Sequence, residues 1–348
     1  MISMNENLRQ IGEKALLQKL RKYIGRGDGI VRAFSEDCAV IDTGSKVFQL
    51  YTTDVLVEGV HFRREYMPFF YAGRKALKVN ISDVAAMGGC PSFYMVSLGA
   101  PPETPVSAIE GIYDGMRSVA KEMKMPLLGG NVSASSQLFI DLFVAGSVPR
   151  NQVIFRNGAR NGDSIFVSGA LGASAEGLQL LQDGFRLNEN QLVAPEGRTD
   201  SRLVLDAIQN HFDPPNLVRL GRVLAASGMV SSMIDLSDGL GSDLPELCRE
   251  SRAGAIIEVD KLPVSPSVLY WEQKRNRNPH LLALQGGEDY HLLFTVVATH
   301  REKFIARMQR EKLPVYEIGK IVPKSHGISV IDRQENRLPL DTSYQHFR

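Results

Sequence analysis

The sequence has few cysteines, and they lie far apart. Cys38, Cys90 and Cys248 form no Cys-x-x-Cys pair. This spacing argues against a structural zinc site and against a disulfide framework, and it favours a reducing compartment. We therefore expect a cytoplasmic protein.

Long apolar runs and an excess of one charge sign are also absent. The longest apolar stretch, Leu138 to Val148, is interrupted by Asp141 and falls well short of the ~20 residues that span a membrane. The polar first ten residues lack the apolar core of a secretion signal. With 40 basic and 39 acidic side chains the formal net charge is +1, which gives no general reason to expect nucleic acid or a membrane as partner.

The length and composition are those of an ordinary globular protein with room for two domains. The chain has 348 residues, of which 43% are hydrophobic and 23% charged, and domains usually hold about 100–200 residues. Segments of strand and helix character alternate in the first half, and the turn-rich stretch 156–163 is typical of a domain boundary. We expect a mixed α/β (α+β) fold with domains at residues 1–150 and 151–348.

The stretch from Asn80 to Gly89 is the most informative part of the sequence. Apolar residues at helical spacing predict a helix that begins near Tyr71 and ends at Gly88. Asn80 and Asp83 lie one turn apart in this apolar segment, and a buried carboxylate needs a hydrogen bond, a cation or water. A solvated stripe or a local turn is the alternative, and the stretch alone does not decide between them.

Carboxylate and amide side chains recur at positions where other strands are predicted to end or helices to begin. Asp54 is expected at the C-terminal end of a strand that starts at Val47, a common position for ligand groups in α/β folds. Gly129 to Asn131 is expected to be a glycine turn, where the backbone can approach a ligand. The full set of these carboxylates and amides is Asp37, Asp54, Asp83, Asn131, Asp235, Asp238 and Glu288.

Oxygen ligands without paired histidines or thiols favour Mg²⁺. A site that gathered several of these acids would repel itself unless cations filled it, and with Mg²⁺ it would act as a clamp for phosphates. The alternative is that each Asp has only a local structural role, because a single Asp at such a position is more often a helix cap or a turn residue. Sequence spacing alone does not show that the set converges.

Three local predictions concern the second half of the chain. Ser174 is expected to cap a helix that runs to about Asp183, and Ser237 or Asp238 is expected to cap another. The charged segment 271–278 is expected to be a loop.

Six motifs and the tail of the chain resemble a known family. In order they are Thr52-Thr53-Asp54 with Glu58-Gly59-Val60-His61-Phe62, Asn80-Ile81-Ser82-Asp83 with Met87-Gly88, Gly129-Gly130-Asn131, Arg156 with Gly158-Ala159 and Gly162-Asp163, Asp235-Leu236-Ser237-Asp238-Gly239-Leu240, Gly287-Glu288-Asp289-Tyr290, and Tyr344-Gln345-His346-Phe347. The ordered set resembles the thiamine-monophosphate kinase family of the aminoimidazole-ribonucleotide synthetase (PurM-like) superfamily.

The resemblance implies a fold and a reaction. The fold would be PurM-like, with an N-terminal domain that binds ATP and pairs with its copy as a homodimer, and a C-terminal domain that closes over the acceptor. The reaction would be ATP-dependent phosphorylation of thiamine phosphate to thiamine diphosphate. Family members transfer the γ-phosphoryl group directly and in line within a multi-Mg²⁺ site, and no residue is assigned as acid or base.

The resemblance also implies roles for individual residues. The implied metal ligands are Asp37, Thr52, Thr53, Asp54, Asp83, Asn131, Asp235 and Asp238. The implied ATP contacts are Gly130, Asn131, Arg156, Ser237 and Tyr113. The implied contacts to thiamine phosphate are His61, Glu288 and Tyr344, and a carboxylate and an aromatic ring suit a cationic thiazolium.

One departure from the family pattern affects the predicted site. The family usually has Gly-Asp-Asp where this chain has Ser35-Glu36-Asp37, which retains the ligand but puts the local metal geometry in doubt. Two alternative functions stay open, and the departure at Ser35-Glu36 favours only the second of them. The chain could be another ATP-using synthetase of the superfamily with a different acceptor, or a catalytically inactive nucleotide-binding homologue.

Overall fold

The structure is a computed structural model that describes residues 7–25, 27–188, 191–195, 201–334 and 336–338. Within these residues the strands form a six-stranded sheet, a seven-stranded sheet and a short hairpin, and helices pack around them.

The six-stranded sheet is built from the first half of the chain. Its strands are β1 (Ile30–Arg32), β2 (Ala39–Ile41), β3 (Val47–Val57), β4 (Cys90–Ala100), β5 (Leu127–Ala134) and β6 (Phe139–Pro149). Their order is β1-β2-β3-β6-β4-β5, with β4 and β5 parallel and the other neighbours antiparallel. The helices of this half are α1 (Leu8–Leu20), α2 (Phe69–Ala86) and α3 (Val106–Met123).

The seven-stranded sheet is built from the second half. Its strands and the hairpin strands are β7 (Ser164–Val167), β8 (Arg186–Asn188), β9 (Gln191–Val193), β10 (Val230–Asp235), β11 (Ala253–Glu258), β12 (Leu292–Val296), β13 (Tyr316–Pro323), β14 (Ile328–Ile331) and β15 (Arg337–Leu338). The sheet order is β10-β12-β7-β13-β11-β14-β15, and β8 pairs with β9. The helices are α4 (Ala173–Gln182), α5 (Ser201–Phe212), α6 (Val218–Ser227), α7 (Leu240–Ser251), α8 (Pro266–Lys274), α9 (Pro279–Gln285) and α10 (Arg301–Glu311).

Helix α2 is buried between the two halves. It packs against β3, β6 and α3 of the first half and against α5, α6 and β10 of the second. The Tyr71 ring lies 5.5 Å from the Phe212 ring, and Gly221 allows α6 to approach the backbone of Ala85. The first hydrophobic core therefore continues from the six-stranded sheet into α4 and α5.

The predicted mixed α/β class and the helix from Tyr71 to Gly88 are confirmed. The boundary between residues 150 and 151 stays a prediction. In the described ranges, no helix combines the length and the apolar character that crossing a membrane requires.

Two predictions in the first sheet are wrong. The strand from Val47 runs on to Val57, so Asp54 lies inside β3 rather than at its end. The antiparallel pairing with β6 extends along the whole of β3 and holds it extended. The predicted glycine turn is also wrong, because β5 continues through Gly130, where a Cβ atom would lie 1.8 Å from Val96 O.

Three predictions in the second half are also wrong. The segment predicted as a loop contains the end of α8, because Trp271 is buried against Phe185, with ring centroids 5.9 Å apart. Ser174 is not the cap of α4, and α7 follows Gly239 without a side-chain cap from Ser237 or Asp238. In both cases a glycine occupies the N-cap position.

The close contact between α2 and α3 depends on glycine. A Cβ atom on Gly115 would lie 1.9 Å from Phe70 O, so we expect Gly115→Ala to lower the free energy of unfolding by about 1–3 kcal/mol. Gly111→Ala is the matched control in the same helix, because its Cβ would make an ordinary 3.5 Å contact and alanine favours the helix by up to ~1 kcal/mol. Urea unfolding measures both, and equal effects would contradict the prediction.

Candidate metal and phosphate site

Three carboxylates from distant parts of the chain meet between the two halves. Asp37 precedes β2, Asp83 lies near the end of α2, and Asp235 is the last residue of β10. One oxygen from each lies within 4.8 Å of the others. The structure therefore brings together three of the predicted metal ligands.

Neighbouring side chains orient these carboxylates. Thr52 donates a hydrogen bond to Asp83 Oδ2, and Ser82 Oγ donates one to Asp235 Oδ2 at 2.7 Å. Arg156 Nη2 donates to Asp37 Oδ1 at 2.6 Å. Asp37 Oδ2 is buried and accepts no hydrogen bond from any residue that the structure describes.

Burial and mutual repulsion change the acidity of the cluster. Burial raises the pKa of Asp83 well above its usual value, and the charges of Asp54 and Asp235 add to the effect. Burial and the charge of Asp37 raise the pKa of Asp235 to about 8, and burial with the charge of Asp141 raises that of Asp54 to about 6. Without a cation, the site retains protons near neutral pH.

The donor set fits a hard divalent cation. The three carboxylates offer oxygen atoms, and Asp37 Oδ2 has no other partner among the described residues. The adjacent Cys38 is not a suitable ligand, because burial, with the charge of Asp83, raises the pKa of its thiol well above its usual value. Oxygen-only coordination is typical of Mg²⁺ and Ca²⁺.

Asp54 and Asp238 lie close to this cluster. The charges of Asp37 and Asp238 contribute to the raised pKa of Asp54. Asn80, which the sequence singled out beside Asp83, accepts a hydrogen bond from Asp54 N at 3.0 Å. Its role is therefore to hold the backbone of the strand that carries Asp54.

The Ser35-Glu36 departure leaves the Asp37 carboxylate in the cluster. The left-handed residue of this segment is Phe34 (φ +60°), so Ser35 is not forced into a glycine-like conformation. Glu36 Oε2 accepts a hydrogen bond from Arg156 N at 2.7 Å, and burial raises its pKa to about 7. The longer side chain therefore supports the backbone of Arg156.

A cavity of about 250 Å³ adjoins the cluster, and Arg156, Ser237 and Asp238 lie in its wall. The structure thus gathers two predicted ATP contacts and one predicted metal ligand around one space. A larger cavity of about 560 Å³ has Glu36 in its wall. No predicted site residue lines that larger cavity.

Four predicted residues are not among the clustered carboxylates, and they lie on β3, β5 and α3. Thr53 donates a hydrogen bond to Asp141 Oδ1 at 2.9 Å on the other face of the sheet. Gly130 and Asn131 are on β5, three strands from β3, which is about 14 Å at the usual spacing. Tyr113 lies on α3 and packs against the first core.

The predicted acceptor contacts form a second group. His61 and Glu288 lie close enough for the charge of His61 to contribute to lowering the pKa of Glu288. His61 Nδ1 accepts a hydrogen bond from Val57 N at 3.0 Å, so the proton of the neutral ring lies on Nε2. Tyr344 lies outside the described residues.

Sequence reasoning missed the residues that support this second group. Lys75 and His211 contact Glu288, and Asp289 caps α4 by accepting hydrogen bonds from Gly172 N and Ser174 N at 2.6 and 3.2 Å. A lysine within the apolar face of the α2 pattern was an available signal for Lys75. Nothing in the local pattern marks His211, because its partner is distant in sequence.

Comparisons with known proteins agree with this architecture. The family model of the AIR synthase related protein N-terminal domain matches residues 35–148, and that of the C-terminal domain matches residues 160–332. The thiamine-monophosphate kinase of Aquifex aeolicus (strain VF5) is 38% identical over 290 residues, 83% of this chain and 87% of the relative. That of Bacillus subtilis (strain 168) is 33% identical over 315 residues, 90% and 92% of the two chains.

Solved structures show the same similarity. The structure of AaThiL complexed with AMPPCP and TMP matches with a TM-score of 0.82 and 32% identity, over 99% of this chain and 100% of that chain. The E. coli hydrogenase maturation protein HypE matches with a TM-score of 0.68 and 19% identity, over 96% and 99%, and therefore shares the fold.

The raised pKa of Asp235 makes stability depend on pH. Since its folded value is about 8 and its ordinary value is 3.8, the metal-free folded state binds more protons than the unfolded chain between these values. We expect the wild type in EDTA to lose stability relative to Asp235→Asn as pH rises through this window, and excess Mg²⁺ to offset the loss.

Thermal unfolding of both proteins in EDTA and in Mg²⁺ measures the difference. Burial lowers the pKa of His211 to about 3 and of His291 to about 4, so these histidines make the folded state more stable as pH rises. Both proteins carry them, and the comparison with Asp235→Asn therefore isolates the effect of Asp235. Asp114→Asn at an exposed ion pair is the control. A difference between wild type and Asp235→Asn that is independent of pH would contradict the prediction.

Proposed function

The chain belongs to the thiamine-monophosphate kinase family of the AIR synthase related proteins, and from that premise we propose that it transfers the γ-phosphoryl group of ATP to thiamine phosphate. The products are thiamine diphosphate and ADP. The observation that carries the proposal is the cluster of Asp37, Asp83 and Asp235 beside a cavity that Arg156 and Ser237 line. The match to AaThiL complexed with AMPPCP and TMP supports it.

The acidic cluster is the proposed Mg²⁺ site. Its ligands come from Asp37, Asp54, Asp83, Asp235 and Asp238, with Thr52 beside Asp83. The support is the burial of Asp37 and Asp235, the closeness of their oxygens to one from Asp83, and Asp37 Oδ2, which accepts no hydrogen bond from any described residue. Bound Mg²⁺ supplies positive charge that neutralises the phosphates during transfer.

The proposed transfer is direct and in line, and it needs no general base. The attacking atom is a phosphate oxygen of the acceptor, which is already anionic, so no proton has to be removed from it. The chain's task is therefore to position two anions. Arg156 and Ser237 bind the ATP phosphates. The carboxylates of Asp37 and Asp235 keep Arg156 positively charged although it is largely buried.

His61 and Glu288 bind two different parts of the acceptor, its anionic phosphate and its cationic thiamine part. His61 presents Nε2–H as a donor, because Nδ1 is occupied by Val57 N–H, and this donor suits the substrate phosphate. The Glu288 carboxylate suits the cationic thiamine part. Tyr344 remains a proposed contact to the same part.

The proposed assembly is a homodimer formed through the first sheet. All residues of edge strand β5 are exposed, with Leu128 57% and Val132 67% accessible. An exposed apolar edge strand is a surface that proteins normally cover. In a dimer that covers it, Gly130 and Asn131 of one subunit would contact the nucleotide in the partner's site, which accounts for their distance from their own acidic cluster.

Removing one ligand should stop the reaction without unfolding the protein. We expect Asp54→Asn and Asp83→Asn to lose thiamine diphosphate formation by ~10³-fold or more, the scale of removing a group that stabilises charge in the transition state. Asp114→Asn at an exposed ion pair should keep full activity. Chromatography of reactions with ATP, Mg²⁺ and thiamine phosphate, with and without EDTA, measures the products.

The outcomes separate the competing functions. Near-normal activity of Asp54→Asn or Asp83→Asn would refute the metal assignment. ATP hydrolysis or ADP release without thiamine diphosphate would favour another acceptor within the superfamily. Binding of ATP·Mg²⁺ with no ADP release on any acceptor would favour an inactive nucleotide-binding protein.

If Asn131 of one subunit completes the site of the other, two inactive variants should restore each other's activity when they are mixed. Asp83→Asn and Asn131→Ala should each be inactive, but a mixed dimer keeps one site with both residues intact. With random exchange of subunits about half of the dimers are mixed, and each mixed dimer has one intact site out of two. We therefore expect about a quarter of wild-type activity. If each site used its own Asn131, mixing would recover nothing.

Dimer formation itself is tested by the same mixture. Val132→Glu added to both variants places a charge in the covered edge and should abolish recovery, together with a change from dimer to monomer in sedimentation. Leu269→Glu is the control, because it changes an exposed leucine on α8, 45% accessible, in the second half of the chain.

A further inference from the structure

A buried lysine lies beside the proposed acceptor group. Lys75, on α2, is completely buried, and its Nζ lies 2.7 Å from Glu288 Oε1. A buried ammonium is costly unless a carboxylate compensates for it. Glu288 is the acidic partner of Lys75 among the residues that the structure describes.

The second oxygen of Glu288 faces a buried histidine. His211 Nδ1 on α5 lies 3.4 Å from Glu288 Oε2 and 3.1 Å from Ser174 Oγ. Burial, with the charge of Lys75, lowers the pKa of His211 to about 3, so the ring is neutral. Glu288 is thus held from two sides by residues of two different helices.

The backbone of the Glu288 loop is fixed as well. Glu288 adopts a left-handed conformation (φ +64°), and its N–H donates to Ser237 O at 2.7 Å. The next residue, Asp289, caps α4 through Gly172 N at 2.6 Å. A strained residue that is constrained on both sides is typical of a functional position.

One side of the carboxylate remains open. The Glu288 side chain is 27% accessible, whereas that of Lys75 is 0% accessible. A ligand can therefore touch Glu288 but not Lys75. Burial opposes the charge of Glu288, but Lys75 and His211 lower its pKa below the usual value.

We propose, on the basis of the proposed function, that Lys75 and His211 are positioning residues that hold the Glu288 carboxylate in one orientation for the thiamine part of the acceptor. They act through Glu288 and do not contact the acceptor. Other ionisable groups around Glu288 are His61, Tyr66, Asp289 and Tyr290.

A double-mutant cycle separates positioning from a purely structural ion pair. We expect Lys75→Met to raise KM for thiamine phosphate by about 10- to 100-fold, the range for losing a hydrogen bond to a charged group, and to leave KM for ATP unchanged. In a Glu288→Gln background, Lys75→Met should cause no further increase, because the residue through which it acts is already altered. The measurement is steady-state kinetics of all four proteins.

Two outcomes would overturn the proposal. Equal effects of Lys75→Met in both backgrounds would show that Lys75 acts independently of Glu288. A parallel rise in both KM values, with a lowered melting temperature, would show a structural role alone. If the wild type forms no thiamine diphosphate, the proposed function fails instead, so the two failures are distinguishable.

His211 provides a second test if Lys75→Met does not fold. His211→Asn retains a polar group near the Nδ1 position and should keep KM for thiamine phosphate close to the wild-type value. His211→Leu removes the polar contact to Glu288 and should raise that KM by about tenfold, with KM for ATP unchanged. The same KM for both variants would refute the role of His211.

Discussion

The repulsion between buried carboxylates is the constraint on which this structure depends. Asp37, Asp83 and Asp235 come from three separate segments, and a low-dielectric site disfavours three negative charges at this separation. The raised pKa values show how strongly the site favours protons or cations. The fold supplies hydrogen bonds from Thr52 and Ser82 to orient Asp83 and Asp235, and it leaves Asp37 Oδ2 without a hydrogen-bond partner among the described residues.

Helix α2 connects that constraint to the rest of the molecule. It carries Asp83 towards the first sheet, Ser82 towards Asp235, and Lys75 towards Glu288. The helix is buried on nearly all sides although it carries these three polar residues. It is stable there because each of the three polar groups has a partner. Elements of both halves of the chain therefore pack on this one helix.

The sequence was sufficient to identify the acids but not their surroundings. Asp83 stood out because an apolar helix seldom contains a carboxylate, and the ordered motifs gave the other predicted ligands, of which Asp37 and Asp235 lie beside it. The interior position of Asp54 in β3 was missed because the extension of the strand depends on pairing with β6, which no local pattern shows. His211 was missed for the same reason, since Glu288 lies far from it along the chain, whereas Lys75 had a local signal, a lysine within the apolar face of α2, that was not used.

Two contacts on α2 determine how far apart the two chemical sites lie. Ser82, which orients Asp235, and Lys75, which contacts Glu288, are seven residues apart and so project from the same face. Their separation along the helix axis is about 10 Å. A helix is stiff in length, so α2 fixes the distance between the acidic cluster and Glu288. Under the proposed function these are the phosphoryl-transfer site and the ring-binding site, and this fixed distance would select an acceptor by the separation of its phosphate from its ring system.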